Sequence, residues 1–215
     1  MIIYLSPSNQ TNNLYNDGRN ECDVCFDTAT ILQENLRSIG ITCYVASKNS
    51  TLAQRVKESD MLHADYHIPI HTNAGGGNGT RIFVYPTNTQ NKLALAILQS
   101  VGEWSVGSVD RLEGNKTLFE IIQPKAKTIY IEGEFHDTNG NHINPNEYAN
   151  AIYNGIVNGL GITAEKKNET SNKISDVLYG KNYHVLVGRY KTRDDAEKFC
   201  KELRANKYEA YVEYY

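Results

Sequence analysis

The stretch Ala64-Asp65-Tyr66-His67-Ile68-Pro69-Ile70-His71-Thr72-Asn73-Ala74-Gly75-Gly76-Gly77-Asn78-Gly79-Thr80 decides the fold. Ile68 and Ile70 lie between His67 and His71, and the run then meets a glycine-rich segment, so a strand ends with His71 at its carboxyl end. Outward from it, residues 2–5, 41–46, 80–85 and 127–132 are further short apolar or β-branched runs. Helical patterns fall between them, around 20–38, 51–63, 89–105 and 116–122, and a last one runs from about 145 to 160. For that helix Asn144 supplies a cap, Pro145 suits the first turn, and Tyr148, Ala151, Ile152, Ile156 and Leu160 make the stripe. Strands separated by helices of this length predict an α/β fold: a parallel or mostly parallel sheet with helices on both faces. In such sheets sites form at the carboxyl edge.

At 215 residues the chain is long enough for one full domain and something smaller. Hydrophobic residues make up 40% and charged residues 22%, which supports a core and excludes a disordered chain. A net charge of −3 argues against a nucleic-acid partner held by phosphate contacts. No run of 18 apolar residues exists to anchor the chain in a membrane. Met1 leads straight into Ile2-Ile3-Tyr4-Leu5 without the features of a Sec-type leader, so the expected place of synthesis and residence is the cytoplasm. Cys22, Cys25, Cys43 and Cys200 are too few for a disulfide scaffold. The Cys22-x-x-Cys25 pair lacks two further ligands at zinc spacing and sits in a helical pattern, so these are read as reduced thiols.

The texture changes at about residue 162. Residues 162–179 are polar without an apolar period and read as a linker. Residues 183–215 then give strand, helix (about 193–205) and strand. Residues 1–161 carry 11 basic and 16 acidic groups, whereas 162–215 carry 11 basic and 9 acidic, so the tail is a separate, mildly basic module.

Three side chains stand out in the first part. Leu36, Leu32, Ala29 and Cys25 step back at helical spacing to Glu21, which puts a carboxylate on the buried stripe at a helix start. Buried carboxylates are rare unless paired. His71 lies at the end of a central strand. Glu132 emerges at the end of the run Ile129-Tyr130-Ile131, placed as a general base towards metal-activated water. Glu134 and Asp137, which follow, read as solvated loop charges. His67 is about 13 Å from His71 along a strand, too far to share one zinc, and reads as a buried second-layer or core residue unless the strand breaks at Pro69. The glycine-rich stretch 75–79 reads as a hairpin turn in preference to a wall of a substrate groove.

These residues resemble the zinc-dependent N-acetylmuramoyl-L-alanine amidases that cut peptidoglycan. The resemblance spans about residues 2–161. TLAQRVKESDMLHADYHIPIHTNA is similar to that family's arginine helix and the strand ending in S-I-H-x-N-A; IYIEGEFHDT matches its late strand with a catalytic Glu. Glu21, in NECDVCFDTATILQENLRSIG, falls where the family's Glu ligand opens its first long helix. The family's first strand usually ends in D-P-G-H-G, whose His is a zinc ligand; here it reads YLSPSNQTNN, with Asn9 at the matching position and Gln10 next. Phage and clostridial members share a similar S-P-S-x-Q start, which marks a subtype. The resemblance implies Zn2+ held by Glu21, His71 and a third group, for which Gln10, Asn9, a water or His136 are candidates and Gln10 is preferred. It implies Glu132 as the group that takes a proton from water and returns it to the leaving amine of L-alanine.

The tail NYHVLVGRYKTRDDAEKFCKELRANKYEAYVEYY resembles one half of the SPOR peptidoglycan-binding repeat. One strand–helix–strand unit leaves open edges, so two tails are expected to pair into a homodimer. The expected protein is thus a peptidoglycan hydrolase (an endolysin or autolysin), with a catalytic domain over 1–161, a linker over 162–179 and a wall-binding module over 180–215. Without a leader it would reach the wall through a membrane lesion or after lysis. The competing expectation is a non-catalytic wall-binding protein with a degenerate metal site.

Overall fold

The computed structural model describes residues 1–107 and 110–162. The elements run β1 (Ile2–Pro7), α1 (Glu21–Ser38), β2 (Thr42–Val45), α2 (Leu52–Met61), β3 (Tyr66–Asn73), β4 (Arg81–Val84) and α3 (Lys92–Trp104), followed by β5 (Arg111–Gly114), α4 (Phe119–Ile122), β6 (Lys127–Thr128), β7 (Tyr130–Phe135), α5 (His136–Asn139) and α6 (Pro145–Gly159). The expected linker beyond residue 162, the strand–helix–strand tail and its pairing lie outside the described residues.

Local chemistry sets the helix starts. Asn20 caps α1 by accepting from the Asp23 amide at 2.9 Å, and Thr51 and Gln54 form a reciprocal capping box on α2. Asn91 caps α3, and Asn144 caps α6 ahead of Pro145. No described helix is long and apolar enough to cross a membrane.

The sheet order is β2-β1-β3-β7-β4-β5, with β6 beside β3. β1, β2, β3, β6 and β7 are mutually parallel; β4 pairs antiparallel with β7, and β5 follows β4 in parallel. The sheet is mostly parallel, as expected, and becomes mixed through one reversed edge. Two expectations change. Residues 127–132 are two strands, β6 and β7, so Glu132 sits inside β7 rather than at a strand end. The glycine-rich segment is no hairpin turn, because β7 lies between β3 and β4 and the segment must cross over it. β5, a short strand of mixed polarity, was not foreseen.

The two faces of the sheet differ in chemistry. Ile3, Leu5, Ile68, Ile70, Ile82 and Ile131 pack with the apolar stripes of α1, α3 and α6. The opposite face carries Tyr4, Ser6 and His67, and these meet α2 and α4: Tyr4 Oη donates to Glu58 at 2.7 Å, and Ser6 Oγ donates to Glu120 at 2.5 Å. A bulge-like shift between His71 and Asn73 pairs His71 with Glu132 but Asn73 with Phe135, so one extra residue of β7 is accommodated there. Gly133 makes room for Tyr148, whose ring lies where a Cβ would stand. Gly133→Ala should therefore lower stability by about 1–3 kcal/mol through overpacking, read as a lower urea midpoint with an unchanged slope.

Candidate active site

The helix stripe that ended on Glu21 is buried throughout, and Glu21 opens α1 with no exposed surface. Its Oε1 lies 2.9 Å from His71 Nδ1 and accepts from the Thr72 amide at 3.3 Å. Asn13 Nδ2 donates to Glu21 Oε2 at 2.7 Å and to Gln10 Oε1 at 2.8 Å. Gln10 Nε2 stands 3.4 Å from His71 Nδ1. Glu21, His71 and Gln10 thus converge on one nitrogen, although they come from a helix start, a strand end and a loop.

Burial favours the neutral forms of both partners, but mutual hydrogen bonding reverses this. For Glu21, burial pushes the carboxyl up, and His71, Asn13 and Ser8 together hold it below its ordinary value. For His71, burial pushes down, and Glu21 with the charges of Glu132 and Glu120 hold the imidazole above its ordinary value. Without a metal the two groups form a buried ion pair. His71 also stacks on Tyr130 with ring centroids 4.7 Å apart, and its backbone carbonyl accepts from Tyr148 Oη at 2.8 Å.

Glu132 is the register partner of His71 across β3 and β7, and of Arg81 across β7 and β4. Burial raises its carboxyl from 4.5 to about 8; Glu21 adds to the rise, and His71 and Arg81 oppose it. That value of about 8 lies in the range where a general acid/base works near neutral pH.

The other expected residues fall as follows. Asn9 is exposed. His136 is buried in α5, with Nδ1 3.0 Å from Thr72 Oγ1 and its ring stacked on Tyr15. Thr72 Oγ1 also meets Tyr15 Oη at 2.9 Å, so His136 is engaged with Thr72 and Tyr15. His67 is buried in an unbroken β3, with Nε2 3.1 Å from Glu120 Oε1, as a core residue should be. Glu134 is not a solvated charge. It is fully buried and accepts from the Val106 amide at 2.5 Å and the Phe135 amide at 2.7 Å. Asp137 is exposed, yet it accepts from the Gly75 and Gly76 amides at 2.8 and 2.9 Å and so pins the glycine-rich crossover. Cys22, Cys25 and Cys43 are buried free thiols, and burial pushes all three above the ordinary thiol value.

Sequence reading missed Glu120, Arg81 and Asn13. Glu120 had a signal: it is the one charge inside the apolar run Leu118-Phe119-Glu120-Ile121-Ile122. Arg55, completely buried, donates to the Pro7 carbonyl and to Ser6 Oγ, and completes the network beneath the pair.

Among the described residues no three His, Cys, Asp or Glu side chains form a metal-binding group. A metal at the pair would need an amide, hydroxyl or water as its third donor. The separations of 2.9 and 3.4 Å around His71 Nδ1 bracket the roughly 3.3 Å expected between donors of a tetrahedral zinc with ligands near 2.0–2.1 Å. The donor set fits, provided the Gln10 amide turns its oxygen to the pair, since its nitrogen cannot ligate.

The sequence model described as N-acetylmuramoyl-L-alanine amidase matches residues 8–162. The chain belongs to this amidase family. A SPOR domain model matches residues 164–212, reaching back over the stretch read as linker. The sporulation-specific N-acetylmuramoyl-L-alanine amidase of Bacillus subtilis is 24% identical over 172 residues, 75% of this chain and 62% of that protein. The N-acetylmuramoyl-L-alanine amidase CwlM of Bacillus licheniformis is 25% identical over 173 residues, 76% of this chain and 62% of that protein. The chain therefore spans about 62% of the length of the curated relatives it matches. The amidase AmiC2 of Nostoc punctiforme shares the fold: TM-score 0.63 at 17% identity, covering 75% of this chain and 97% of that one.

The amidase-family site has a testable stability signature. A carboxyl whose folded value is raised contributes stability that is present below its unfolded value and lost as pH rises through the folded one. For Glu132 that window runs from 4.5 to about 8. In chelator, the melting temperature should fall from pH 5 to pH 8, and Glu132→Gln should narrow the fall.

Proposed function

We propose that this chain hydrolyses peptidoglycan at the amide between N-acetylmuramic acid and L-alanine, using one zinc ion held by Glu21, His71 and Gln10. The observation that carries the reading is the buried Glu21–His71 pair at 2.9 Å with Glu132 as the register partner of His71, in a chain of the amidase family. Bound zinc would supply Lewis acidity, lowering the pKa of water towards about 7 and polarising the amide carbonyl. Glu21 contributes charge and His71 a neutral nitrogen; to ligate, His71 must shed the proton it shares with Glu21, so metal uptake should release protons. Glu132 accepts the proton of the attacking water and delivers it to the amide nitrogen as the C–N bond breaks, freeing the amino group of L-alanine.

Residues 1–161 would be the catalytic domain, 162–179 a linker, and 180–215 a module that holds the enzyme on the wall. The SPOR match supports wall binding by the tail. An endolysin or autolysin role follows from the same reading.

Full-length protein should carry about one zinc per chain, clear cell-wall suspensions with release of alanine amino termini, and stop in chelator. Glu132→Gln should fall below a few per cent of the wild-type rate with an unchanged circular dichroism spectrum. Sedimentation with walls but no clearing by the wild type would instead support a binding protein with a degenerate site. For the tail, light scattering should give a dimer for the full chain and a monomer for a 1–165 truncation; monomers in both would remove the pairing.

A further inference from the structure

Across the carboxyl side of the sheet, the site residues lie in strand order. Gln10 follows β1, His71 is on β3, Glu132 on β7 and Arg81 on β4, each strand beside the next. Arg81 and Glu132 are directly opposed in an antiparallel pair, so their side chains leave the same face of the sheet. The Arg81 Nε is buried and donates to no acceptor among the described residues. Its guanidinium carbon stands 5.9 Å from the centre of the Phe135 ring, and Phe135 is the β7 residue that pairs with Asn73 after the register shift. A buried guanidinium nitrogen without an acceptor is costly and calls for a partner.

The order of the strands gives that partner a position. In the proposed reaction the acyl carbonyl belongs over Glu21 and His71, and the leaving nitrogen belongs over Glu132, which protonates it. Arg81 is one strand further on, about 5 Å along the same line, with its guanidinium over the Phe135 ring. Whatever follows the scissile nitrogen must pass it. A residue spans about 3.8 Å along a peptide, so the group in reach belongs to the residue after alanine. A guanidinium fork is suited to a carboxylate there.

We infer that Arg81, packed against Phe135 and opposite Glu132, is the specificity residue that binds a carboxylate on the peptide side of the scissile amide. This rests on the amidase reading and adds to it a preference among stem peptides. It also explains why a cation stands opposite Glu132 without forming an ion pair with it: the fork is kept for the substrate.

The test uses the full-length zinc-loaded chain and two muramoyl-L-alanyl peptides that differ only in a carboxylate or a carboxamide on the residue after alanine. Wild type should favour the carboxylate substrate by about tenfold in kcat/KM, mostly through KM, as loss of a charge-assisted hydrogen bond predicts. Arg81→Gln should bring the two substrates within about twofold of each other. Arg81→Lys, which keeps the charge and loses the fork, should give an intermediate ratio and serves if the Gln variant does not fold. Equal rates in the wild type, or a full tenfold ratio retained in either variant, would overturn the inference while leaving the amidase reading intact. Release of alanine amino termini from neither substrate would overturn the amidase reading itself, and with it this assignment.

Discussion

A carboxylate and an imidazole that are both out of water, Glu21 and His71, impose the constraint on which the other parts of this structure depend. Desolvating either charge alone would cost several kcal/mol, so each must find the other and its remaining polar contacts in place. Those contacts come from far apart: Asn13 from the loop after β1, the Thr72 amide from β3, Gln10 from the chain just beyond β1. The loop that carries Asn13 is itself tied down, because Arg19 donates to the carbonyls of Gly140 and Ile143 at 2.9 and 2.8 Å and lies over the Tyr15 ring. Tyr148 of α6 holds the His71 backbone from beneath. The pair is thus braced by α6, the 140–143 segment and both neighbours of β3.

The sheet divides its labour by face. Strands buried on both sides usually read as continuous apolar runs, yet β1, β3 and β7 alternate. One face feeds a single core under α1, α3 and α6. The other holds a polar layer in which His67 meets Glu120, Glu120 accepts from Ser6, and Arg55 reaches back to Ser6 and Pro7. That layer acts electrostatically on the site, since the charge of Glu120 is among those that raise the His71 imidazole above its ordinary value. Glu132 has less compensation. It faces two cations without bonding to either, and its raised value records burial that has not been offset.

Much of this was legible because it is local. The spacing from Leu36 back to Glu21 is a property of one helix, and the position of His71 after Ile68 and Ile70 is a property of one strand; both were readable before any fold existed. The cap at Asn144 is likewise short-range. Glu134 was misread because a carboxylate among polar neighbours looks solvated when the amides that will surround it, those of Val106 and Phe135, are not yet in view. The glycine-rich segment was misread for a related reason: a turn and a crossover share the same composition, and only strand order separates them.

The amino-acid sequence on its own determined the α/β class, the helix that buries Glu21, the strand that delivers His71 and the resemblance that links both to Glu132. Tertiary structure decided that β7 enters between β3 and β4, that Glu132 therefore faces His71 on one side and Arg81 on the other, and that Gln10 rather than His136 stands beside the pair. The reason is physical. Periodicity and capping are settled within a few residues of chain, whereas which strand lies beside which depends on how the whole apolar face is covered.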